Sequence, residues 1–259
     1  MFAVISDIHS NIEALTAVLG DIERRGIKTI YCLGDVVGYG PNPGECLDLI
    51  IEKTKWCVLG NHDYAALYEP TNFNYGAEQA SFWTRFSLEA EQETQRRSRR
   101  WSFLGTLPMR RTLKIKLGAT NAAIIDFVHA LPRKPINEYI FPDDVYTNPL
   151  KVRVLFERVR HICFVGHTHL PGVFLDEPDF YLPDELGDVY PIIDSEKAII
   201  NIGSVGQPRD DDNRSSYVYV DGNEVHFARL KYDFETTAKK IEAIEQLDNF
   251  HAERLRDGR

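Results

Sequence analysis

Polar side chains that can bind metal ions follow five short apolar runs along this chain. The five motifs are, in chain order, Asp7-Ile8-His9, Gly34-Asp35, Gly60-Asn61-His62-Asp63, His129 and Gly166-His167-Thr168-His169. Apolar runs of this length are typical of buried strands, and ligands in open α/β sheets bind beyond the carboxyl ends of the strands. We therefore expect these side chains to converge at one edge of a sheet.

The chemistry of these side chains favours a pair of divalent metal ions. Carboxylates, imidazoles and an amide oxygen, without a thiolate, suit Mn²⁺, Fe or Zn²⁺ better than Cu(I) or an iron–sulfur cluster. One catalytic ion that keeps an open position cannot use all seven candidate ligands, which are Asp7, His9, Asp35, Asn61, His129, His167 and His169. Two ions that share one carboxylate can, and such a pair activates a water for displacement at phosphorus. The set thus predicts phosphoester hydrolysis.

Each motif taken alone is also typical of an ordinary turn at a strand end, so their joint occurrence is what favours a metal site. Motifs for other chemistries do not fit this sequence. Ile202 stands where a Gly-x-Ser-x-Gly nucleophile elbow needs its first glycine, and residues 38–43 lack the last glycine of a dinucleotide-binding fingerprint. The sequence also holds no Walker A motif. A serine nucleophile or a phosphate-cradling glycine loop is therefore not expected.

The composition indicates a globular protein with a sizeable core. Of the 259 residues, 43% are hydrophobic and 27% are charged, which excludes wholesale disorder. No apolar run approaches the roughly 18 residues that a membrane span needs, and no signal peptide is visible, so we expect a cytoplasmic protein that does not enter a membrane. The four cysteines form no Cys-x-x-Cys motif and are expected to be reduced core thiols.

The acidic balance of the chain bears on its partners. A net charge of -9 disfavours binding of nucleic acid, which needs a basic face. It does not exclude an anionic substrate, because bound divalent metals would reverse the local field. The expected partner is a small phosphorylated substrate, and the sequence leaves a homo-oligomer open.

Hydrophobic periodicity predicts the elements that must position the candidate ligands. Strands over 2–5, 29–33 and 55–59 alternate with helices over 11–25 and 45–51, the order of βαβ units in a parallel sheet. Asn11 is expected to cap the first helix rather than to bind phosphate. The pattern further predicts helices over 75–100, 149–160 and 234–247 and strands over 111–117, 121–128, 161–165, 197–202, 215–220 and 225–230, with a hairpin turn at 117–121.

Two segments lack a clear period. Residues 170–196 are rich in Pro, Asp and Glu and are expected to form an irregular excursion or hairpin, and residues 248–259 are expected to fray. The excursion and the helix over 75–100 are candidates to cover the pocket and to set substrate choice. Because neither a repeat nor a flexible linker is visible, we expect a single domain over 1–259.

The five motifs resemble, in the same order, the signature of the calcineurin-like metallophosphoesterases. Residues 38–43 and 201–209 are similar to the small bacterial and archaeal phosphodiesterase-like branch of that superfamily. The resemblance implies an α/β fold, a four-layer α/β/β/α sandwich. It also implies a dinuclear metal-dependent hydrolase that cleaves a small phosphodiester or phosphomonoester by attack of a metal-bridging hydroxide. The expected metal is Mn²⁺, with Fe, Zn²⁺ or Ni²⁺ as alternatives.

The resemblance also implies a role for each motif residue. One metal would be bound by Asp7, His9, Asp35 and His169. The other would be bound by Asp35, Asn61, His129 and His167, with Asp35 as the bridge. His62 would lie beside the leaving oxygen and donate a proton or a hydrogen bond to it, and Asp63 would orient His62.

Two departures from the family pattern stand out, one that affects the substrate and one, at Ala130, whose added methyl group affects the backbone near the second metal. Protein serine/threonine phosphatases and symmetrical diadenosine tetraphosphatases carry Asp-Arg-Gly after the Gly-Asp motif, and that arginine holds phosphate. This chain has Gly38-Tyr39-Gly40 instead, which disfavours both activities, and Ala130 follows His129 where the family has glycine. Arg209 and Arg133 are the remaining candidates to bind the substrate phosphate, although both also fit surface arginines of loops.

Three alternative functions remain open at this stage. They are a phosphoprotein or diadenosine tetraphosphate phosphatase, a non-catalytic scaffold on the same fold, and a nuclease. The presence of all seven ligands and His62 disfavours the scaffold, and the absence of a basic track in the sequence disfavours the nuclease.

Overall fold

In the computed structural model, which describes residues 1–116 and 122–259, the strands form two six-stranded sheets. The first sheet contains β1 (Phe2–Ile5), β2 (Ile30–Cys32), β3 (Trp56–Cys57), β9 (Val189–Pro191), β11 (Ser215–Asp221) and β12 (Glu224–Leu230), in the spatial order β3-β2-β1-β11-β12-β9. The second contains β4 (Arg110–Lys116), β5 (Ala122–Val128), β6 (Ile162–Val165), β7 (Gly172–Leu175), β8 (Asp179–Tyr181) and β10 (Ala198–Asn201), in the order β4-β5-β6-β10-β7-β8.

Parallel pairing in each sheet brings the carboxyl ends of several strands to one side. The strands β1, β2 and β3 pair in parallel in the first sheet, and β5, β6 and β10 do so in the second. The other neighbours are antiparallel. Both sheets are therefore mixed, whereas the sequence predicted a parallel sheet. Apolar runs indicate that a strand is buried on both faces, but they do not indicate its direction.

Alternate residues of the strands face two different cores, which gives the molecule four layers. In β1, Phe2 and Val4 face the core between the two sheets, whereas Ala3 and Ile5 pack against helices outside the first sheet. In β6, Phe164 lies between the sheets. This period of two follows from the alternation of side chains along a strand, and it confirms the expected α/β/β/α sandwich.

Helices cover the outer faces of both sheets. They are α1 (Ile12–Arg24), α2 (Pro43–Lys53), α3 (Asn61–Leu67), α4 (Tyr75–Glu89), α5 (Thr94–Thr106), α6 (Asp144–Thr147), α7 (Pro149–Phe156), α8 (Phe234–Glu242) and α9 (Phe250–Asp257). As expected, the Asn11 side chain caps α1 by accepting a hydrogen bond from Ala14 N at 3.0 Å. Among the helices of the described residues, none has the length and apolar character that crossing a membrane requires. The four cysteines are buried and free, in agreement with the expected core thiols.

The helix expected over 75–100 is two helices, α4 and α5. The chain turns at residues 90–93, so that α5 folds back over α2. Arg100 is buried on α5 and donates to Asp48 of α2 at 2.7 Å and to Glu91 at 3.0 Å. This arginine thus joins α5 to α2 and to the turn before α5.

The segment 170–196 forms a hairpin, one of the two forms expected for it. It contains the antiparallel hairpin of β7 and β8 at the edge of the second sheet, followed by β9 at the edge of the first. The alternative of an irregular excursion is therefore wrong, and β9 was not predicted because so short a strand carries little hydrophobic alternation. The hairpin turn expected at 117–121 lies outside the described residues.

The C-terminal segment forms a helix where a frayed tail was expected. In α9, His251, Ala252 and Leu255 are buried, and Ala252 and Leu255 pack with Ile241 of α8 in a small separate core. The charged residues of α9 lie mostly on its other face, and their number hid the narrow apolar stripe in the sequence. The helix is therefore part of the folded molecule.

Truncation of Leu255 should destabilise the protein if α9 is docked as the structure shows. Leu255 is 3% exposed, so Leu255→Ala should lower the free energy of unfolding by about 2–4 kcal/mol through lost burial and the cavity left behind. Urea denaturation followed by circular dichroism measures this. Leu150→Ala is the matched control, because Leu150 is 71% exposed and should cost less than about 0.5 kcal/mol. Equal, small effects of both variants would contradict the docked helix.

Candidate metal centre

The loops that follow the parallel strands bring the predicted ligands together where the two sheets meet. From the first sheet come Asp7 and His9 after β1, Asp35 after β2, and Asn61 at the start of α3. From the second sheet come His129 after β5 and His167 and His169 after β6. The carboxylates and imidazoles of this set are all at least 95% buried.

The converging atoms form two adjacent groups. In the first group, ligand atoms of Asp7, His9 and His169 lie within 4.8 Å of one another. In the second, the same holds for Asp35, His129 and His167. These groups contain six of the seven predicted ligands, and they divide them as the two expected metal ions would.

Asp35 lies between the two groups. Its Oδ2 atom is 3.3 Å from Nε2 of His129 in one group and 3.8 Å from Nε2 of His9 in the other. The seventh candidate, Asn61, places its Oδ1 atom 2.9 Å from Nε2 of His129. A carboxylate in this position can serve two cations at once, which is what a bridging ligand must do.

The imidazoles of His9 and His169 fit a cation between them. Their Nδ1 atoms face the backbone oxygens of Val37 at 3.3 Å and Gln207 at 2.5 Å. Because a carbonyl oxygen only accepts, each Nδ1 carries the proton and each Nε2 presents a lone pair. The two Nε2 atoms lie 3.1 Å apart, and burial lowers the pKa of both rings, so both are neutral. Two lone pairs that face each other in a buried site require a positive charge between them.

Two other contacts point to the same need for positive charge. The Nε2 lone pair of His169 also lies 3.2 Å from Oδ1 of Asp7, so two acceptors face each other there. Burial alone would lower the pKa of His129, but the charge of Asp35 and their hydrogen bond raise it to about 9. The two carboxylates thus attract positive charge strongly enough to hold a proton on His129, and a metal cation can take the place of that proton.

The loops that carry the ligands have strained backbones. Left-handed φ values between 48° and 67° occur at seven non-glycine residues around the centre, namely Asp7, His9, Ser10, Asp35, Tyr39, His167 and His169. Such conformations cost on the order of 1–3 kcal/mol each and persist where surrounding structure enforces them, which is frequent at functional sites. Close packing adds to this constraint, because a methyl group on Gly166 would collide with Oδ2 of Asp7 and Oγ of Ser6.

Asp63 has a different role from the predicted one. Its carboxylate accepts backbone hydrogen bonds from Asp35 at 2.8 Å, Val36 at 2.9 Å and Gly60 at 3.1 Å. No hydrogen bond joins it to His62 within the part of the chain that the structure describes. The reason is that α3 begins at Asn61, so Asp63 is its third residue and turns back to the helix N-terminus. Asp63 therefore clamps the Asp35 loop to α3 and does not orient His62.

Aromatic rings orient His62 instead. The imidazole packs between Tyr39, with ring centroids 4.3 Å apart, and Phe73, at 4.7 Å. Its Nδ1 atom is buried against the backbone of Gly38, without a hydrogen-bond partner among the described residues. This leaves Nε2 for the pocket, where His62 also forms a third close group with His9 and Asp35.

A pocket of about 100 Å³ opens over the metal-binding groups. Its wall combines Asp35, Asn61, His62, His167 and His169 with Arg209 and with Tyr39, Asn72, Phe73, Asn74, Ala77 and Tyr139. The volume lies below the roughly 300–1,000 Å³ of sites for drug-sized ligands, which favours a small reacting group.

The pocket wall decides between the two arginines predicted to bind substrate. Arg209 lines the pocket, and its Nη2 atom donates to Oε1 of Gln207 at 2.7 Å. Arg133 does not line it and is paired with Glu138, to which Nε donates at 2.8 Å. The structure thus brings only Arg209 of the two to the site.

Sequence patterns did not reveal the rest of the wall. Residues 72–74 and Tyr139 come from loops, where no hydrophobic period marks their position. Of the two segments expected to cover the pocket, α4 contributes Ala77, whereas the described wall includes no residue of 170–196. The Gly38-Tyr39-Gly40 stretch was visible in the sequence, but its contact with His62 was not.

Comparisons with known proteins identify a family and a fold. Residues 1–171 match the profile of the family described as calcineurin-like phosphoesterase. A curated relative, an uncharacterized protein of Methanocaldococcus jannaschii, is 41% identical over 268 residues, which covers 100% of this chain and 98% of that protein.

Two solved structures share the fold over the whole chain. A metallophosphoesterase from Sphaerobacter thermophilus has a TM-score of 0.79 at 34% identity, with 100% of this chain and 98% of that chain covered. A hypothetical protein from Pyrococcus horikoshii OT3 has a TM-score of 0.73 at 20% identity, with 100% and 99% covered. The second shows a common fold only.

Replacement of Asp63 should affect stability because its carboxylate is a buried acceptor. In Asp63→Asn, an NH₂ group that cannot accept replaces one oxygen, so buried backbone N–H groups lose their partner. We expect the free energy of unfolding to fall by about 2–3 kcal/mol, measured by urea denaturation. Asp233→Asn is the control, because Asp233 caps α8 at an exposed site where asparagine caps equally well. Unchanged stability of Asp63→Asn together with lost hydrolysis would restore the orienting role.

Proposed function

Because the chain belongs to the calcineurin-like phosphoesterase family, we propose that it hydrolyses a small phosphodiester or phosphomonoester with two divalent cations bound. The observation that carries this proposal is the position of Asp35 between two groups of buried ligand atoms. Phosphoester hydrolysis uses such a pair of sites, and the small polar pocket over them suits a phosphoryl group.

The residues of the two groups fit these cations. One cation would be held by Asp7, His9, Asp35 and His169, and the other by Asp35, Asn61, His129 and His167. Nitrogen and oxygen donors without a thiolate favour Mn²⁺, with Fe, Zn²⁺ or Ni²⁺ as alternatives. When bound, the cations would supply a nucleophilic water at neutral pH and offset the charge of the phosphoryl oxygens.

Arg209 is the protein's own cation at the pocket. Its guanidinium carries five N–H donors in a planar fork, so it can bind phosphoryl oxygens. Its Nε atom is buried without a hydrogen-bond partner in the described structure. We assign Arg209 to the substrate phosphate, where it would oppose the electrostatic repulsion from the buried carboxylates.

We assign His62 to the leaving oxygen. Burial lowers its pKa to about 4, against the opposing attraction of Asp35, so the ring is neutral at pH 7. Since Nδ1 is enclosed by protein, Nε2 is the atom that can donate a hydrogen bond into the pocket. A neutral donor in this position stabilises negative charge that develops on the leaving oxygen.

The function is tested with bis(p-nitrophenyl) phosphate and p-nitrophenyl phosphate. With Mn²⁺ added we expect release of nitrophenolate from at least one of them and about two Mn²⁺ per chain by metal analysis. Chelation should abolish turnover, and renewed Mn²⁺ should restore it, because the chain provides no alternative nucleophile motif. Turnover that persists in fully chelated protein, or no turnover of any phosphoester with two ions bound, would refute the proposal.

His62→Ala separates the role of His62 from metal binding in the same assay. It should retain the metal content of the parent protein and lose about 10²–10⁴-fold in kcat, the usual contribution of a positioned proton or hydrogen-bond donor. A variant that loses one metal ion instead would make His62 a ligand.

The two arginines should differ sharply in their effect on substrate binding. Arg209→Gln removes a charge-assisted contact to phosphate and should raise KM for p-nitrophenyl phosphate about 10-fold or more. Arg133→Gln should change KM less than about twofold, since its partner Glu138 lies outside the pocket. Steady-state kinetics of the two variants with Mn²⁺ measure this, and the reverse order would move the phosphate site to Arg133.

A further inference from the structure

Tyr39 contacts several residues of the site, although the sequence predicted no role for it. It follows β2 in the stretch Gly38-Tyr39-Gly40, has a left-handed φ of 55°, and lines the pocket. Its ring centroid is 4.8 Å from that of His9 and 4.3 Å from that of His62. The ring therefore faces both a candidate metal ligand and the proposed hydrogen-bond donor.

The Arg209 guanidinium lies over the same ring. Its Cζ atom is 5.7 Å from the Tyr39 ring centroid, within the range of a cation–π contact. The other contact that orients this side chain is the hydrogen bond from Nη2 to Oε1 of Gln207. The Nε atom has no hydrogen-bond partner among the described residues, where one hydrogen bond and one aromatic face hold the guanidinium.

The Tyr39 ring is itself held in place. A methyl group on Gly38 would collide with the His62 ring, and one on Gly40 would collide with the backbone oxygen of His9. The turn is therefore packed directly on the site. The ring centroid of His251 on α9 lies 4.8 Å from that of Tyr39, so the Tyr39 ring packs between the C-terminal helix and the pocket.

From this geometry we propose that Tyr39 is the positioning residue of Arg209. Its aromatic face holds the guanidinium over the pocket on the side of His62, so that the phosphate and the leaving oxygen meet the two groups together. The proposal rests on the assignment of Arg209 to the substrate phosphate. This chain has tyrosine after Gly38, where the phosphatases described above have a phosphate-binding arginine. In the proposal, Arg209 supplies the cation instead, from the loop after β10, and Tyr39 holds it in place.

The competing explanation is that Tyr39 only fills space. It packs at the edge of the small core of α8 and α9, so its loss could loosen that core without acting through Arg209. A double-mutant cycle distinguishes the two explanations, because only a positioning role makes the effects of the Tyr39 and Arg209 variants depend on each other.

The cycle is measured as the Kd of inorganic phosphate for the Mn²⁺-loaded protein, by isothermal titration calorimetry. Tyr39→Leu should weaken phosphate binding roughly 3–30-fold, the range of a cation–π contact. Tyr39→Phe keeps the aromatic face and should stay within about twofold of the parent. In the Arg209→Gln background, Tyr39→Leu should add less than about a twofold effect. Tyr39→Met, which fills similar space, replaces Tyr39→Leu if the latter does not fold.

Tyr219→Leu provides the matched control. Arg25 lies over the Tyr219 ring at 4.7 Å, in a pair on the outer face of the first sheet. Removal of that ring also breaks an arginine–tyrosine contact, but it should leave phosphate binding unchanged.

Three outcomes would overturn the inference. Additive effects of Tyr39→Leu and Arg209→Gln, or a loss in Tyr39→Phe as large as in Tyr39→Leu, would each reduce Tyr39 to packing while leaving the Arg209 assignment intact. An unchanged Kd in Arg209→Gln would overturn the inference together with that assignment. Phosphate binding is read without turnover, so a failure to hydrolyse any ester is distinguishable from all three.

Discussion

The burial of two carboxylates among imidazoles is the constraint on which the rest of the structure depends. Asp7 and Asp35 are almost fully removed from water, and buried charges are costly unless they are paired and hydrogen-bonded. Asp7 accepts the backbone N–H of His167 at 3.1 Å, and Asp35 accepts that of His62 at 2.8 Å. Because His167 comes from the second sheet, the two sheets must pack with their parallel strands ending at the same place.

This constraint explains where the strain is found and what bears it. Residues with left-handed φ values lie in the loops directly after β1, β2 and β6, whereas the residues of these three strands are buried. The short strands end where the chain must direct the candidate ligands into the site. In the turn after β2, the Asp63 carboxylate accepts hydrogen bonds from the backbone N–H groups of Asp35 and Val36. A rigid sandwich thus holds loops whose own conformations are unfavourable.

The sequence predicted the centre far better than its surroundings. The convergence of candidate ligands such as Asp35 and His129 could be predicted because apolar runs mark the strands and polar residues mark their ends. The resemblance implied that Asp63 orients His62, but it could not show that Asp63 is the third residue of α3 and turns back to the backbone of Gly60 and Asp35. Arg133 and Arg209 looked alike in sequence, since only folding shows that Glu138 neutralises one of them. The aromatic wall was missed because loops carry no period.

The division of the site along the chain has a consequence for substrate choice. The candidate ligands and His62 lie within residues 1–171, the part that matches the family profile, whereas Arg209 and His251 lie beyond it. The contact of Tyr39 with both later residues joins the two parts at the pocket. Under the proposed function, the strand-end loops of the family segment would therefore provide metal binding and leaving-group assistance, while recognition of the phosphate would depend on how the C-terminal part packs against Tyr39.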